Sequence, residues 1–336
     1  MKLSDFDYVL PNRLIAQKPI RPRDHSKLMV LQDNNIEHRH FYDITDYFKK
    51  GDVLVINETK VSRAKIIGKK PSGSIVEVIL TKKIKEDVYE CRVKGTIPKV
   101  GNRHTYKDGL KGKIIKEKEG IFTILFNKKI TKSLTKNFEL PTPPYVDRKI
   151  KKESEYQTTF SKKEGSVAAP TAGFHFTPEI LRKLKAKGVK IVKICLHIDF
   201  GTFMSIKDVN VTGHKMHEET FEISNAAANN INHRKGRLFV VGTTSLRALE
   251  ASTKKGQVIP QKSATNIFIY PGYRFKNRID GMITNFHFPK STLLLLVSAL
   301  AGRKQILDAY KVAVKKRYRF YSFGDAMLLL LNSHPQ

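Results

Sequence analysis

The spacing of apolar and polar positions divides the chain into two parts. Between residue 52 and about residue 130, apolar side chains recur mostly at every second position, in short runs separated by Gly, Pro or Lys clusters. This period is typical of half-buried strands. The clearest runs are residues 52–57, 74–80, 88–93 and 121–126. Because no helical pattern intervenes, they predict a small antiparallel barrel or sandwich.

After Ser166 the pattern changes to helices that alternate with strands. Thr177 and Pro178 form a typical helix start, and Gly188 can end that helix in a left-handed conformation. Further helices are predicted from Ser224 to about residue 235, from Thr244 or Ser245 to Gly256, at residues 291–301 and at about 304–316. Strands are predicted at residues 189–196, 238–242, 266–270 and 282–286. This alternation indicates an α/β sheet with helices on its faces.

A proline-rich run at residues 140–145 separates the two parts. It can continue neither a helix nor a central strand, because prolines lack an N–H donor and keep the preceding residue extended. We therefore predict an α/β domain formed by residues 1–58 and 152–336, interrupted by an inserted β-rich domain at residues 59–151. The length of 336 residues agrees with two domains.

The charge is the unusual feature of the composition. The chain has 62 Lys and Arg against 31 Asp and Glu, a formal net charge of +31. This excess attracts polyanions, so nucleic acid is the first partner to consider. A coding bias toward lysine is the alternative, but such a bias would raise the glutamate content as well. The excess begins after residue 59 and favours a functional basic surface.

Other features of the composition exclude several classes of protein. The two cysteines, Cys91 and Cys195, lie in apolar alternating stretches, which predicts buried thiols and no disulfide framework. The first residues carry acids and lack the apolar core of a secretory signal. The longest apolar run, residues 293–302, is about half of a membrane span and predicts a buried helix. We expect a cytoplasmic protein.

Six histidines fall between residues 175 and 287, several of them where a strand meets a loop: His175, His197, His214, His217, His233 and His287. That edge of an α/β sheet is where ligands usually bind. On a helix, His214 and His217 would share one face and could hold Zn²⁺ with a third ligand. Alternatively they pair with the neighbouring glutamates or with a ligand phosphate. Because the chain has no HExxH pattern and no cysteine ligands, we predict no metal site.

Two loops of small residues, at 166–177 and 242–245, precede predicted helices. Their exposed N–H groups could bind an anion, although each could equally be a tight strand-to-helix turn. Neither is a GxGxxG or P-loop motif, so a dinucleotide bound in the usual Rossmann manner is not supported. Ser245 also lacks the GxSxG pattern of a serine nucleophile.

Aromatic and basic residues alternate around a Pro-Gly turn at residues 266–276. Aromatic rings can stack an unpaired base while the neighbouring cations hold phosphates. A hairpin with core aromatics would explain the tyrosines but not Arg274 and Lys276. RNA is therefore the nucleic acid that this segment favours.

Longer motifs resemble the S-adenosylmethionine:tRNA ribosyltransferase-isomerases of queuosine biosynthesis. The stretches that carry the resemblance are residues 6–11, 14–19, 23–24, 53–57, 166–178, 214–219, 241–250, 267–276, 283–302 and 318–328. They occur in the family order and span nearly the whole chain. The resemblance implies a Rossmann-like α/β domain interrupted by a small β-barrel, in line with the pattern described above.

The resemblance also implies a reaction. These enzymes transfer the ribosyl part of S-adenosylmethionine to 7-aminomethyl-7-deazaguanine at the tRNA wobble position and rearrange it, giving epoxyqueuosine, adenine and methionine. S-adenosylmethionine is then consumed as a substrate, and we expect no cofactor and no obligate protein partner. The runner-up is a non-catalytic RNA-binding protein on the same scaffold, and a second alternative is an RNA methyltransferase that uses S-adenosylmethionine.

Such a reaction needs a base near the sulfonium, a proton donor for the departing adenine and a cavity poor in water. Histidine suits both proton roles near neutral pH. The predicted catalytic residues are His175, His197, His217 and Glu218. The predicted substrate-binding residues are Pro170, Thr171, Ala172, Gly173, Thr243, Thr244, Ser245 and Arg247. The predicted tRNA contacts are Tyr270, Tyr273, Arg274 and Lys276.

Apart from conservative changes at Glu58 and Lys60, the sequence departs from the family pattern at three positions. Asp199 and Phe138 stand where glycine is usual, and Glu155 stands where arginine is usual. Asp199 is the departure closest to a predicted catalytic residue, because a charge there could change the pKa of His197.

Overall fold

A computed structural model describes residues 1–95, 97–148, 150, 152–199, 206 and 208–331. The chain forms two compact units: residues 1–60, 143–164 and 169–336 make the first, and residues 61–142 and 165–168 make the second. The first is a mixed α/β unit and the second contains a closed β-barrel, as predicted. None of the helices in the described ranges is long and apolar enough to cross a membrane.

The strands are β1 Lys27–Gln32, β2 Asn35–His40, β3 Val53–Asn57, β4 Thr59–Val61, β5 Lys65–Lys69, β6 Ile75–Lys83, β7 Val88–Lys94, β8 Arg103–Tyr106, β9 Lys111–Lys118, β10 Ile121–Phe126, β11 Lys163–Ser166, β12 Lys190–Leu196, β13 Glu219–Ile223, β14 Leu238–Val241, β15 Thr253–Lys254, β16 Gln257–Val258, β17 Gln261–Thr265, β18 Gly281–Asn285 and β19 Ala326–Leu330. The α-helices are α1 Lys132–Thr135, α2 Pro178–Ala186, α3 Asn225–Asn232, α4 Gly242–Ser252, α5 Thr292–Ala301 and α6 Arg303–Lys315.

The first unit is built on a nine-stranded sheet in the order β17-β13-β12-β3-β14-β18-β19-β1-β2. Strands β12, β3, β14 and β18 run parallel, so their carboxyl ends lie at one edge of the sheet. Strand β19 is antiparallel to β18, which brings the loop before β19 to the same edge. Buried Leu, Ile, Val and Phe side chains of the sheet pack against α2 and form the core of this unit.

The second unit is a closed barrel in the order β10-β7-β6-β5-β8-β9. Exposed and buried residues alternate along β8 and along the first half of β9, as a period of two requires. The inward side chains, among them Val78, Ile114, Ile124 and Phe126, form a separate core. Phe138, one of the three departures from the family pattern, packs into this core.

The boundary between the two units falls within the proline-rich segment, since residues 61–142 belong to the second unit and residues 143–164 to the first, whereas the prediction placed the whole segment in the inserted domain. The reason is Tyr145, whose ring packs 5.1 Å from that of Phe288 and 4.9 Å from that of Tyr321, measured between centroids. Tyr145 also hydrogen-bonds Ser322 at 2.6 Å between the two hydroxyl oxygens. These contacts hold the segment against the loop that precedes β19.

Helix starts follow the sequence signals closely. The Thr177 and Ser224 hydroxyls accept hydrogen bonds from Ile180 N at 3.3 Å and Ala227 N at 3.2 Å, so each caps the predicted helix. Helix α3 ends at Asn232, slightly earlier than predicted. Helix α4 begins at Gly242 rather than at Thr244 or Ser245 and ends at Ser252, because Gly256 lies in the turn between β15 and β16.

One predicted strand is wrong. Residues 266–270 are not part of a strand, and the strand in this region is β17, which pairs with β13 at the margin of the sheet. The apolar alternation at 266–270 misled the prediction because Ile269 is buried without strand pairing. The sequence analysis also missed β1, β2, β13 and β19.

Candidate active site

A cavity of about 390 Å³ opens at the carboxyl edge of the large sheet. It lies where β14 and β18 end and where the loop before β19 returns, the position expected for a ligand site in an α/β sheet. The lining residues are Pro144, Tyr145, Ala169, Pro170, Thr171, Ala172, Ile198, Gly242, Thr243, Thr244, Thr284, Asn285, Phe286, His287, Phe288, Pro289, Lys290, Ser291, Leu293, Tyr321 and Ser322. Five of the eight predicted substrate-binding residues are among them: Pro170, Thr171, Ala172, Thr243 and Thr244.

The loop after β14 supplies one wall of the cavity. Gly242 has φ +83°, a left-handed conformation that favours glycine at this strand-to-helix junction. Thr244 Oγ1 lies 3.3 Å from Nδ2 of Asn57, the last residue of the adjacent strand β3. Ser245 is fully buried, and its hydroxyl donates to the Val241 carbonyl at 2.7 Å, so it supports the helix start instead of lining the cavity.

A hydrogen-bonded network lies beneath the floor of the cavity. Thr171 donates to Asn285 Oδ1 at 2.9 Å, and Asn285 Nδ2 lies 3.2 Å from His175 Nε2. His175 Nδ1 lies 2.8 Å from Ser26 Oγ. The imidazole is buried, and burial lowers the pKa of His175 to about 3, so it is neutral near pH 7. His175 and Gly173 are not among the lining residues of the cavity.

His287 does line the cavity, and the sequence analysis did not select it as catalytic. Its Nε2 lies 2.8 Å from Thr284 Oγ1, and this is the one hydrogen bond that its ring makes in the described part of the chain. Burial lowers the pKa of His287 to about 3. The ring is therefore neutral, fixed at one nitrogen and able to use the other. Its place two residues after the end of β18 was the available sequence signal.

Aromatic side chains form another wall. The rings of Phe288 and Tyr321 lie 3.3 Å apart between centroids, and Tyr145 packs on both. Tyr321 has φ +70° and Lys290 has φ +57°. These two cavity residues therefore hold left-handed backbone conformations that residues other than glycine rarely adopt. Backbone strain of this kind tends to concentrate at functional sites.

Arg247, a predicted substrate-binding residue, lies away from the cavity lining. Its guanidinium forms an ion pair with Glu219, and the two side chains are 3% and 2% exposed. Its Nε donates to the Ile267 carbonyl at 3.2 Å. Glu219 also accepts from the main-chain N–H of Asp199 at 3.1 Å. The departure at Asp199 thus leaves this contact available, because it uses the main chain.

His197 follows the carboxyl end of β12, as its position in the sequence suggested. Its Nδ1 lies 2.7 Å from Thr59 Oγ1. Burial, together with the nearby positive charge of Lys163, lowers the pKa of His197. His197 is not among the lining residues of the cavity, although Ile198 is.

His217 and Glu218 lie in a non-helical segment before β13, so the helical arrangement considered for His214 and His217 is wrong. His217 is partly buried and Glu218 is exposed, and neither lines the cavity. His214 packs on Phe268 with ring centroids 5.3 Å apart. Within the described ranges, no three His, Cys, Asp or Glu side chains lie close enough together to hold a metal ion.

The aromatic-basic segment is a loop held by a buried carboxylate. Glu250 accepts hydrogen bonds from Tyr273 Oη at 3.1 Å and from the main-chain N–H of Lys276 at 2.8 Å. Burial raises the pKa of Glu250. Arg274 and Lys276 are exposed and Tyr270 is partly exposed, so their side chains are available to a partner.

The third departure, Glu155, has a structural explanation. Its carboxylate pairs with Arg148, and the hydrogen bond from Arg148 lowers the pKa of Glu155. The Glu155 main-chain carbonyl accepts from Arg23 at 3.1 Å. The residue is buried and therefore organises its segment rather than contacting a ligand.

Fold and cavity together define the class of protein: an α/β protein with a ligand cavity at the carboxyl edge of its sheet and a β-barrel inserted in its sequence. The profile of the family described as "Queuosine biosynthesis protein" matches residues 3–329. The chain belongs to this family.

Relatives agree with this assignment. The chain is 47% identical to the S-adenosylmethionine:tRNA ribosyltransferase-isomerase of Carboxydothermus hydrogenoformans, over 98% of this chain and 100% of the relative. It is also 47% identical to the enzyme of the same name from Fusobacterium nucleatum, over 97% and 96% of the two chains. The crystal structure of S-adenosylmethionine tRNA ribosyltransferase from Thermotoga maritima has a TM-score of 0.54 and 33% identity, over 97% of this chain and 100% of that one.

Proposed function

We propose that this protein transfers the ribosyl part of S-adenosylmethionine to 7-aminomethyl-7-deazaguanine at the tRNA wobble position and isomerises it to epoxyqueuosine. Adenine and methionine are the other products. The observation that carries the proposal is 47% identity, over nearly the full length of both chains, to proteins named for this transferase-isomerase activity. A tRNA substrate also supports the cytoplasmic location expected from the sequence.

The alternatives receive no comparable support. Both relatives named above carry an enzyme name, which argues against a non-catalytic RNA-binding protein. The name also specifies ribosyl transfer and isomerisation, which argues against methyl transfer. Because S-adenosylmethionine is consumed as the pentose donor, the proposed reaction needs no further cofactor. We propose no obligate protein partner.

The cavity has groups suited to a nucleoside. The aromatic wall of Tyr145, Phe288 and Tyr321 offers the kind of flat surface on which purines stack. The hydroxyls of Thr171 and Thr243 can bind a ribose or an amino-acid group. We propose that these five residues bind S-adenosylmethionine or the tRNA base that receives its ribosyl part.

Proton transfer is assigned to His287 first, because this residue lines the cavity and its ring has a nitrogen without a partner in the described part of the chain. A neutral imidazole can accept a proton and later return it to a leaving group. His197, His217 and Glu218 stay as candidates for the second proton role. For His175, the network of Asn285 and Ser26 supports a positioning role.

The loop with exposed Arg274 and Lys276 is proposed to contact the anticodon loop, with Tyr270 and Tyr273 beside them. Its anchoring by Glu250 presents the two cations in a fixed place, which reduces the ordering cost of binding.

The test is incubation with S-adenosylmethionine and a tRNA that carries 7-aminomethyl-7-deazaguanine. Free adenine and epoxyqueuosine in the tRNA, each dependent on both substrates, are the expected products. Release of S-adenosylhomocysteine would instead identify a methyltransferase. Binding of tRNA without either product would favour the non-catalytic alternative.

A further inference from the structure

The exposed cations on two sides of the β-barrel differ in the charge of the residues opposite them. Across the β6–β7 ladder, Lys82 is opposite Glu90 and Lys94 is opposite Glu77. At the end of the same hairpin, Lys83 Nζ lies 2.7 Å from Glu86 Oε1. Opposite charges across a ladder stabilise a sheet. The cations on this side are therefore matched within the barrel.

The β5–β8–β9 side has the reverse arrangement. Across the β8–β9 ladder, Arg103 is directly opposite Lys113, and Thr105 is opposite Lys111. Thr105 also pairs with Lys69 on β5. All four cationic residues are exposed, whereas the intervening residues His104 and Gly112 are buried, so the cations share the outer face. We refer to Lys69, Arg103, Lys111 and Lys113 as the cationic face.

The cationic face is not neutralised within the barrel. In the described part of the chain, none of its four side chains forms an ion pair or a hydrogen bond. Asp108, which follows β8, instead accepts a hydrogen bond from Asn137 Nδ2 at 2.8 Å. Like charges directly opposite each other destabilise a sheet. The arrangement thus costs folding stability that a bound polyanion would offset.

We propose that the cationic face of the barrel binds the phosphate backbone of tRNA. The inference rests on the proposed function for the identity of the polyanion. Neighbouring strands lie about 4.8 Å apart, and alternate residues along a strand lie about 6.6 Å apart, so the four cations form a closely spaced array. Such an array suits successive phosphates, and phosphate contacts give affinity without sequence preference.

The experiment compares two triple variants of the full chain with equal loss of charge in the same barrel. One carries Arg103→Gln, Lys111→Gln and Lys113→Gln, and the matched control carries Lys82→Gln, Lys83→Gln and Lys94→Gln. Binding of a transcribed, unmodified tRNA is measured by fluorescence anisotropy at a series of salt concentrations. Thermal melting of both variants checks folding, and the cationic-face variant is expected to melt no lower than wild type, because it removes like-charge repulsion.

The cationic-face variant is expected to bind tRNA at least about 10-fold more weakly near physiological salt. Its plot of log affinity against log salt should be shallower by about 2, since each lost phosphate contact removes roughly 0.7–0.9 from the slope. The control should change affinity less than about 3-fold. Equal losses in the two variants, or wild-type binding by the cationic-face variant, would overturn the proposal. Binding is measured without turnover, so a wild-type protein that binds tRNA but releases no adenine would contradict the proposed function alone.

Discussion

Nδ2 of Asn285 lies 3.2 Å from Nε2 of His175, and the other contacts of the amide determine which atom donates. The same nitrogen is 3.4 Å from the Asp325 carbonyl, and the amide oxygen accepts from Thr171. Nδ2 is therefore the donor and Nε2 of His175 is unprotonated, which leaves Nδ1–H to donate to Ser26. One imidazole nitrogen thus holds Asn285 at the cavity, and the other is fixed by Ser26.

The first prediction concerns this network. His175→Leu removes the acceptor of Asn285, and a misplaced cavity residue can cost up to about 100-fold in rate. We expect kcat/KM for S-adenosylmethionine to fall about 10- to 100-fold, measured by adenine release, with an unchanged pH profile. Ser26→Ala, which removes the other partner of His175, should have a smaller effect of the same kind. Loss of one limb of the pH profile in His175→Leu would instead show that His175 itself transfers a proton.

His287 is expected to behave differently. Because this residue lines the cavity and is assigned proton transfer, His287→Ala should lower kcat by about 10²- to 10⁴-fold, the usual contribution of a general acid or base. The KM for tRNA should stay within about 2-fold. Thr284→Val, which removes the hydroxyl next to Nε2, should cause a smaller loss, and Thr284→Ser should restore activity. Single-turnover adenine release separates the chemical step from product release; a normal rate in His287→Ala would remove this residue from the mechanism.

The two buried histidines also predict how stability depends on pH. Burial lowers the pKa of both His175 and His287 to about 3, against about 6.5 in an unfolded chain. Between these values the unfolded chain binds more protons, so the stabilisation is complete above about pH 6.5 and is lost as the pH falls toward 3. Each group should contribute about 1.4 kcal/mol per pH unit in that window.

Urea unfolding at pH 7.5, 6.5 and 5.5 measures this dependence. In His287→Asn the free energy of unfolding should vary less steeply with pH, falling by about 1 kcal/mol less than in wild type between pH 6.5 and 5.5. His40→Asn, the same substitution at an exposed histidine, provides the control. Parallel pH dependences in His287→Asn and wild type would show that His287 is not held neutral in the folded protein.

The pattern of the sequence was sufficient for the fold class because its signals are local. Period-two alternation marks the barrel strands, and the caps at Thr177 and Ser224 mark helix starts. Strand β2 could not be found in this way, since five of its six residues are exposed and it shows little apolar alternation. Strand β17 lies at the margin of the sheet and is equally polar, so its pairing with β13 depends on tertiary structure.

The candidate site was only partly predictable for a related reason. The small-residue loops at Pro170–Ala172 and Thr243–Thr244 were found because a strand-to-helix turn has a sequence signature, and they line the cavity. Tyr145 and Tyr321 come from distant parts of the chain, and only folding brings their rings within 4.9 Å between centroids. Arg247 looked like a ligand-binding cation, yet its partner is Glu219, 28 positions away.

The Glu219–Arg247 pair gives the last prediction. Glu219→Leu leaves the Arg247 guanidinium buried without its carboxylate, which should cost about 3–5 kcal/mol of unfolding free energy. Adding Arg247→Met should recover part of that loss, because well-packed apolar residues can replace a buried ion pair. Asp308→Asn, which breaks the exposed pairs with Lys304 and Lys311, should cost less than about 1 kcal/mol. Urea unfolding of these variants, of the Arg247→Met single variant and of wild type measures each term. If the double variant were as unstable as the sum of its two single changes, the pair would act through separate contacts, such as that of Glu219 with Asp199 N, rather than through its buried charges.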